Sequence, residues 1–296
     1  MTRTPQTRPR RTALYMPGSN PRALEKAREL DVDVVIMDLE DAVAPDAKET
    51  ARKNIIAAVA AGGYGHREIV IRINGYGSPW WKDDLVAVAT SGADAMLAPK
   101  IEGADLLSKL GDLLAINGAP DDMRLWTMAE TPTAIQKIDS IANADPRLEV
   151  IVMGTSDLAK SLRIPPDPDR IGLLPALTAG ILAARARGLD ILDGVFGDLN
   201  DDEGFLRSCE QGRKLGFDGK TLIHPGQIET ANRVFGVAEK DVAEAADIIA
   251  AWEAAAAQGS GIALVNGRMI ENLHAEDARR VLALNAAINK QKADHH

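Results

Sequence analysis

Charged side chains gather where apolar runs end. In "VVIMDLEDAV", residues 34–43, four apolar residues run into Asp38, Glu40 and Asp41. The pattern recurs along the chain. "EIVIRIN" (68–74) carries Arg72, "DAMLAPK" (94–100) ends at Lys100, and "RLWTMAE" (124–130) ends at Glu130. "EVIVMG" (149–154) leads into Thr155, Ser156 and Asp157. "LDILDGVFGD" (189–198) ends at Asp198, and "FDGKTLIHP" (217–225) contains His224. Like charges held close in a cleft repel, so an arginine, a lysine or a divalent cation must offset them. Each of these residues also has a plainer explanation. Asp157 could cap the helix that follows, Arg72 and Glu40 could form a structural ion pair, and His224-Pro225 could start a helix. Asp198 and Asp201 could organise a loop.

The elements that must position these groups are short and repetitive. With "TALYM" (12–16) and "VDVVIMD" (32–38) added, eight runs rich in Val, Ile, Leu or Met precede or separate amphipathic stretches. Continuous apolar runs mark parallel strands buried on both faces. "NPRALEKAREL" offers Asn20 as an N-cap and Pro21 at the first helical position. "PDAKETARKNIIAAVAAGG" ends in glycines, a helix stop. "TPTAIQKIDSIANA" and "DDEGFLRSCEQGRKLG" also fit helices. Eight strand–helix repeats predict an α/β fold, a (β/α)8 TIM barrel, whose active site sits at the C-terminal strand ends. A doubly wound open sheet is the alternative, but no GxGxxG or GxxxxGK[ST] follows a strand. The expected organisation is a disordered basic tail over 1–11, the barrel over 12–235, and a helical C-terminal extension acting as a lid over 236–296. Within that extension, "SGIALVNGRMI" predicts a hairpin around Asn266-Gly267.

Bulk properties narrow the function classes. The net charge of −9 argues against a general nucleic-acid binder. The one cysteine, Cys209, allows no intramolecular disulfide, suits a reduced cytoplasmic setting, and reads as a small buried hydrophobe. No apolar run approaches the ~18 residues of a membrane span. "MTRTPQTRPRR" lacks the apolar core of a secretory signal.

Eight motifs in one order carry a family resemblance: "RTALYMPGSNPRALEKA", "DVVIMDLEDAVAPDAKETAR", "IRINGYGSPW", "MLAPKIE", "AETPTAI", "VMGTSDLAKSL", "GKTLIHPGQI" and "VNGRMIE". Together, over about residues 11–285, they resemble the citrate lyase β-subunit-like (CitE-like) enzymes of the HpcH/HpaI aldolase superfamily. That group includes malyl-CoA and citramalyl-CoA lyases. The resemblance implies a Mg2+-dependent carbon–carbon lyase, with Mn2+ as a substitute, forming homotrimers or hexamers. It would cleave a β-hydroxyacyl-CoA to acetyl-CoA or propionyl-CoA plus a 2-oxo acid such as glyoxylate or pyruvate, or run the condensation. Coenzyme A enters as part of the substrate; neither nucleic acid nor membrane is an expected partner.

The same resemblance implies roles for particular residues. Glu130 and Asp157 match the metal ligands, and Arg72 matches the substrate-binding arginine. Two carboxylates plus substrate oxygens suit Mg2+, which keeps several waters. Arg72 would stabilise the enolate oxygen of the thioester. Backbone N–H groups of Gly154, Thr155 and Ser156, at a helix start, would hold the 2-oxo acid's carboxylate. Asp38, Glu40, Asp41 and Lys48 would support the arginine and the metal's waters, with Glu40 and Asp41 counted also among the catalytic residues. Pro17, Ser19, Arg22 and Lys26 would lie along CoA, joined by Lys100. The plainer reading of Arg22 and Lys26 is a solvated helix face. The family's lid supplies an aspartate to the neighbouring subunit's mouth as the proton-moving group; here Glu271 stands in that place, one methylene longer. Its plainer reading is a helix-start charge.

Three alternatives share the fold: a malyl-CoA-type thioesterase in the same site, a CoA-independent 2-oxo acid aldolase, and a non-catalytic CoA-ligand-binding subunit. The aldolase would have a histidine where Asp41 stands, and no histidine precedes His66. The joint presence of Arg72, Glu130 and Asp157 argues against the non-catalytic subunit.

Overall fold

The computed structural model describes residues 8–295. Eight strands close into a parallel barrel. They are β1 (Thr12–Pro17), β2 (Val34–Asp38), β3 (Glu68–Arg72), β4 (Ala95–Ala98), β5 (Arg124–Ala129), β6 (Leu148–Met153), β7 (Asp190–Asp193) and β8 (Gly219–Leu222). Helices connect them, so the fold is the (β/α)8 barrel that the eight apolar runs predict. Several strands stop short of the apolar runs: β7 ends at Asp193 and β8 at Leu222, and the residues beyond form the rim.

Strand alternation decides what faces the barrel axis. Val34 and Ile36, Val70, Ala95 and Leu97, Trp126 and Met128, and Val150 and Val152 form one inner cluster, with Tyr15 packed against it. Their neighbours Val35, Met37, Ile69, Ile71, Met96, Leu125, Ile151 and Met153 belong to the larger cluster that includes residues of the surrounding helices. One more step of two residues along the inner face brings Asp38, Arg72, Glu130 and Gly154 to the C-terminal rim. Asp38 and Arg72 are direct partners in the β2–β3 register. The apolar run therefore ends in acid because the barrel's packed interior ends there.

The opposite end is closed by a buried cation. Arg10 contacts Glu68 at 2.7 Å, Asp190 at 2.6 Å and Glu149 at 3.1 Å, and lies 5.4 Å from the Trp126 ring centre. Arg11 pairs with buried Asp33 at 2.6 Å. The expected tail over 1–11 is thus too long at its inner end: Arg10 and Arg11 are buried and pair with the buried carboxylates of Glu68 and Asp33. The rest of that tail, residues 1–7, lies outside the described residues.

The chain divides into two compact units, with Arg10–Phe235 as the barrel and Gly236 opening the second. Within the second, a helix Glu239–Ala257 precedes a hairpin of β9 (Ala263–Val265) and β10 (Arg268–Ile270), and a long helix spans Asn272–His295. Asn266 and Gly267 take φ of 50° and 74°, as an Asn-Gly hairpin turn requires. The stretch expected as one helix over 131–144 is two short ones, Pro132–Gln136 and Ile138–Ala142, separated where Lys137 adopts φ −111° and ψ 12°. Among the described residues no helix is long and apolar enough to cross a membrane.

Arg10→Ala removes two hydrogen bonds from Glu68, a carboxylate only 1% exposed. The expected loss is about 3–5 kcal/mol of folding free energy, as for any buried pair deprived of one partner. Urea unfolding measures it; a loss below about 1 kcal/mol, the scale of a surface pair, would show that this end is not held by the ion pair.

Candidate active site

The C-terminal rim opens into a cavity of about 340 Å³. Arg72 lines one part of it, and Glu130, Thr155, Ser156 and Asp157 line another. Tyr15, Asp38, Asp41, Met128 and Ile223 contribute to the remaining wall. The three groups on which the sequence reading converges, Arg72, Glu130 and Asp157, therefore share one compartment.

Arg72 is almost completely buried and committed. Its Nε and Nη2 each donate at 2.7 Å to the two oxygens of Asp38, a bidentate pair. Its Nη1 lies 3.0 Å from Glu40 Oε2 and 3.4 Å from Asp41 Oδ2. The guanidinium also covers the Tyr15 ring, 4.6 Å from its centre. Sequence reasoning singled out Glu40 as the arginine's partner; the principal one is Asp38, because the parallel register sets residues 38 and 72 side by side. Burial pushes the Asp38 carboxyl upward, but the guanidinium and two backbone N–H donors, from Glu40 and Ala42, outweigh it and hold the pKa below the usual range. Glu40 is shifted the other way, upward, chiefly by burial.

Glu130 sits just past β5 and is 2% exposed. Its Oε1 accepts the Lys100 backbone N–H at 2.6 Å. Lys100 reaches that geometry in the left-handed region, with φ 55°. Gly154 leaves room for this carboxylate: a Cβ there would fall 2.3 Å from the Glu130 Cβ and 2.7 Å from Oε2. Burial, then the charge of Glu40, raises the Glu130 pKa to about 7, and Asp157 adds to the shift. Asp157 lies in the first turn of the helix Thr155–Leu162, which has no side-chain cap, so Asp157 is not its N-cap. The N–H groups of Thr155, Ser156 and Asp157 open that helix without intrahelical partners. Gly154 is different: its N–H is spent on the Ala129 carbonyl at 3.0 Å, so the expected anion cradle loses one of its three donors.

Other expected residues are placed more plainly. Lys48 is buried and donates at 2.7 Å to the carbonyls of Leu39 and Glu40. It braces the rim backbone rather than contacting the arginine. The Lys100 ammonium pairs with Glu40 Oε1, so it is not free for phosphates in this conformation. Pro17 ends β1, while Ser19 and Arg22 are exposed. Lys26, also exposed, pairs with Glu29 at 2.6 Å. His224 accepts from the Gly226 N–H and starts a short helix. Asp198 accepts from Asn200, and Asp201 caps the helix Asp202–Leu215. Cys209 is buried, and burial pushes its thiol up to about 11. Glu271 is exposed between β10 and the last helix, and its backbone N–H donates to His274 Nδ1. Sequence reasoning passed over Tyr15, whose signal was its place two residues beyond inward-facing Ala13. It also passed over the buried Asp193–Lys220 pair, at 2.8 Å, which Arg170 joins.

The donor set fits a hard divalent cation. Among the described residues no group of three or more His, Cys, Asp or Glu side chains is arranged to hold a metal ion. Two carboxylates suffice for Mg2+, which is reluctant to dehydrate and takes its remaining oxygens from water and substrate. Glu130, buried beside like charge and accepting one N–H bond, is the kind of anion that a cation stabilises.

A parallel barrel with charged side chains converging at its C-terminal face defines an enzyme of the (β/α)8 class. Residues 11–225 match the family model HpcH/HpaI aldolase/citrate lyase, and the chain belongs to that family. A (3S)-malyl-CoA thioesterase of Cereibacter sphaeroides is 47% identical, over 96% of this chain and 97% of its own length. An L-malyl-CoA/beta-methylmalyl-CoA lyase of the same species is 35% identical, over 90% and 92%. The crystal structure of the protein CitE from Mycobacterium tuberculosis, in complex with magnesium, acetoacetate and coenzyme A, superposes with a TM-score of 0.73. It is 26% identical and covers 93% of this chain and 97% of that one.

Because Glu130 gains proton affinity on folding, the folded state binds more protons than the unfolded state between its ordinary pKa and about 7. Stability contributed by the protonated carboxyl is present below that window and is lost as pH rises through it. In chelator-treated protein, unfolding free energy should decline with pH across that range, and Glu130→Gln should flatten the decline. Identical slopes in the two proteins would remove Glu130 as its source.

Proposed function

We propose that this chain acts on a malyl-CoA-type β-hydroxyacyl-CoA and hydrolyses its thioester. The observation that carries the proposal is the shared cavity: a buried guanidinium at Arg72 and a carboxylate pair, Glu130 and Asp157, line one space beside a helix N-terminus. Likeness to the thioesterase, at 47% identity against 35% for the lyase, favours hydrolysis over the carbon–carbon cleavage that the motifs suggest first.

In this reading the substrate's terminal carboxylate takes the N–H groups of Thr155 and Ser156. Glu130 and Asp157 hold Mg2+, which when bound supplies Lewis-acid polarisation of substrate oxygens. Arg72 faces the thioester, where negative charge develops on the carbonyl oxygen. Asp41 lines the cavity and makes only the long 3.4 Å contact to Arg72, besides a 3.9 Å approach to Lys100. It is the carboxylate placed to take a proton from water. The water oxygen bonds to the thioester carbon, the C–S bond breaks, and the leaving thiolate takes up that proton. The products are malate and CoA. Lys48 and Asp38 act indirectly, by fixing the rim backbone and the arginine. Pro17, Ser19, Arg22, Lys26 and, once released from Glu40, Lys100 are proposed along the CoA arm.

Carbon–carbon cleavage is the second reading, favoured by the match to the lyase over nine-tenths of both chains. There the substrate hydroxyl loses its proton, the C–C bond breaks, and the electron pair passes to the thioester oxygen as an enolate. Glu271 of a neighbouring copy is proposed to return the proton to carbon, which would make a homotrimer or hexamer the working unit.

The deciding experiment incubates the protein with malyl-CoA and Mg2+ and identifies products by mass spectrometry. Hydrolysis yields malate and free CoA thiol; cleavage yields acetyl-CoA and glyoxylate. Neither product set would sink the proposal. Arg72→Ala and Glu130→Ala are expected to abolish turnover. Glu271→Ala should spare hydrolysis and depress cleavage; unaffected cleavage would remove Glu271 as the proton carrier.

A further inference from the structure

Arg72 alone is poorly supplied to serve the thioester. A guanidinium carries five N–H donors in a fixed fork. Here Nε and one position of Nη2 are fixed on Asp38, and Nη1 is drawn to Glu40 and Asp41. Only the second N–H of Nη2 has no anion assigned to it. An oxygen bearing full negative charge in a water-poor site is best met by two or more preorganised donors.

We propose that the hydroxyl of Tyr15 is a catalytic hydrogen-bond donor to the thioester carbonyl oxygen, completing with Arg72 a two-donor site. Tyr15 lines the same cavity and belongs to the inward face of β1. Its ring lies under the guanidinium, 4.6 Å from ring centre to Cζ, so the two side chains hold one another in place. The Tyr15 hydroxyl has no hydrogen-bond partner among the described residues, although tyrosine hydroxyls in buried settings usually find one. The carboxylate beside it offers no site: each oxygen of Asp38 already accepts one bond from Arg72 and one from a backbone N–H, of Glu40 or of Ala42. Burial raises the phenol pKa, so the group keeps its proton and remains a donor at neutral pH. Both reactions under "Proposed function" place charge on the thioester oxygen, so the role holds for hydrolysis and cleavage alike. It rests on the substrate being a CoA thioester.

Tyr15→Phe removes the hydroxyl and keeps the ring under Arg72. With malyl-CoA, kcat should fall about 100-fold, the scale of losing one oxyanion donor, while KM and the melting temperature stay near wild type. A purely structural tyrosine would instead lower the melting temperature and leave kcat intact. A second readout does not need turnover. A carba analogue of acetyl-CoA, with CH2 replacing sulfur and a 13C-labelled ketone, reports hydrogen bonding through its carbonyl stretch. The band should lie lower in wild type than in Tyr15→Phe. If malyl-CoA is not turned over but the band still differs, the malyl-CoA reading fails and the Tyr15 assignment stands. If malyl-CoA is turned over with equal kcat and equal bands, the Tyr15 assignment is overturned and the reading stands. No saturable binding of the analogue, together with no turnover, overturns both.

Discussion

The ion pair between Arg72 and Asp38 is the constraint on which the barrel mouth depends. Asp38 is fully buried, and Glu40 and Glu130 are nearly so. Carboxylates taken out of water at such depth are costly unless paired and hydrogen-bonded. The guanidinium answers Asp38 with two parallel bonds and Glu40 with a third contact. In return, Asp38 fixes the plane of the arginine. Neither residue could stay buried at this rim without the other, and the parallel β2–β3 register is what brings them level.

The cavity is consequently unequal across its width. On the arginine side, cation and anions are matched. On the Glu130 side they are not: one backbone N–H reaches Glu130, and Asp157 adds like charge rather than relief. A substrate carrying its own carboxylate would meet repulsion there unless a cation intervened. The uncapped start of the helix Thr155–Leu162 supplies partial positive charge beside the acids, but not enough to neutralise two of them. In the proposed reading, a divalent ion held by Glu130 and Asp157 would resolve the imbalance. Lys100 ties the two sides together, since its backbone meets Glu130 and its ammonium meets Glu40.

Much of this was legible from residue order. Eight apolar runs predict the barrel, and their acidic or basic ends predict which rim carries chemistry. What could not be read was which acid meets which base. Asp38, Glu40 and Asp41 are equivalent in a string of letters, yet one clamps Arg72 bidentately, one bridges Arg72 and Lys100, and one remains largely exposed. Lys48 was expected around the arginine and the metal's waters, and Lys100 along CoA; buried carbonyls occupy the first and Glu40 the second. Tyr15 gave only a weak signal, its spacing of two from Ala13, because a single aromatic residue within an apolar run reads as core.

By itself, the sequence determined the eightfold strand–helix repeat and the hairpin at Asn266-Gly267, because hydrophobic patterning and turn chemistry are local properties of the chain. Only the tertiary structure decided the pairing of Arg72 with Asp38, the exhaustion of the Gly154 N–H, and the burial that lifts Glu130 to about 7. Those depend on strand register and on the exclusion of water between segments far apart in the chain, and neither is written in any one segment.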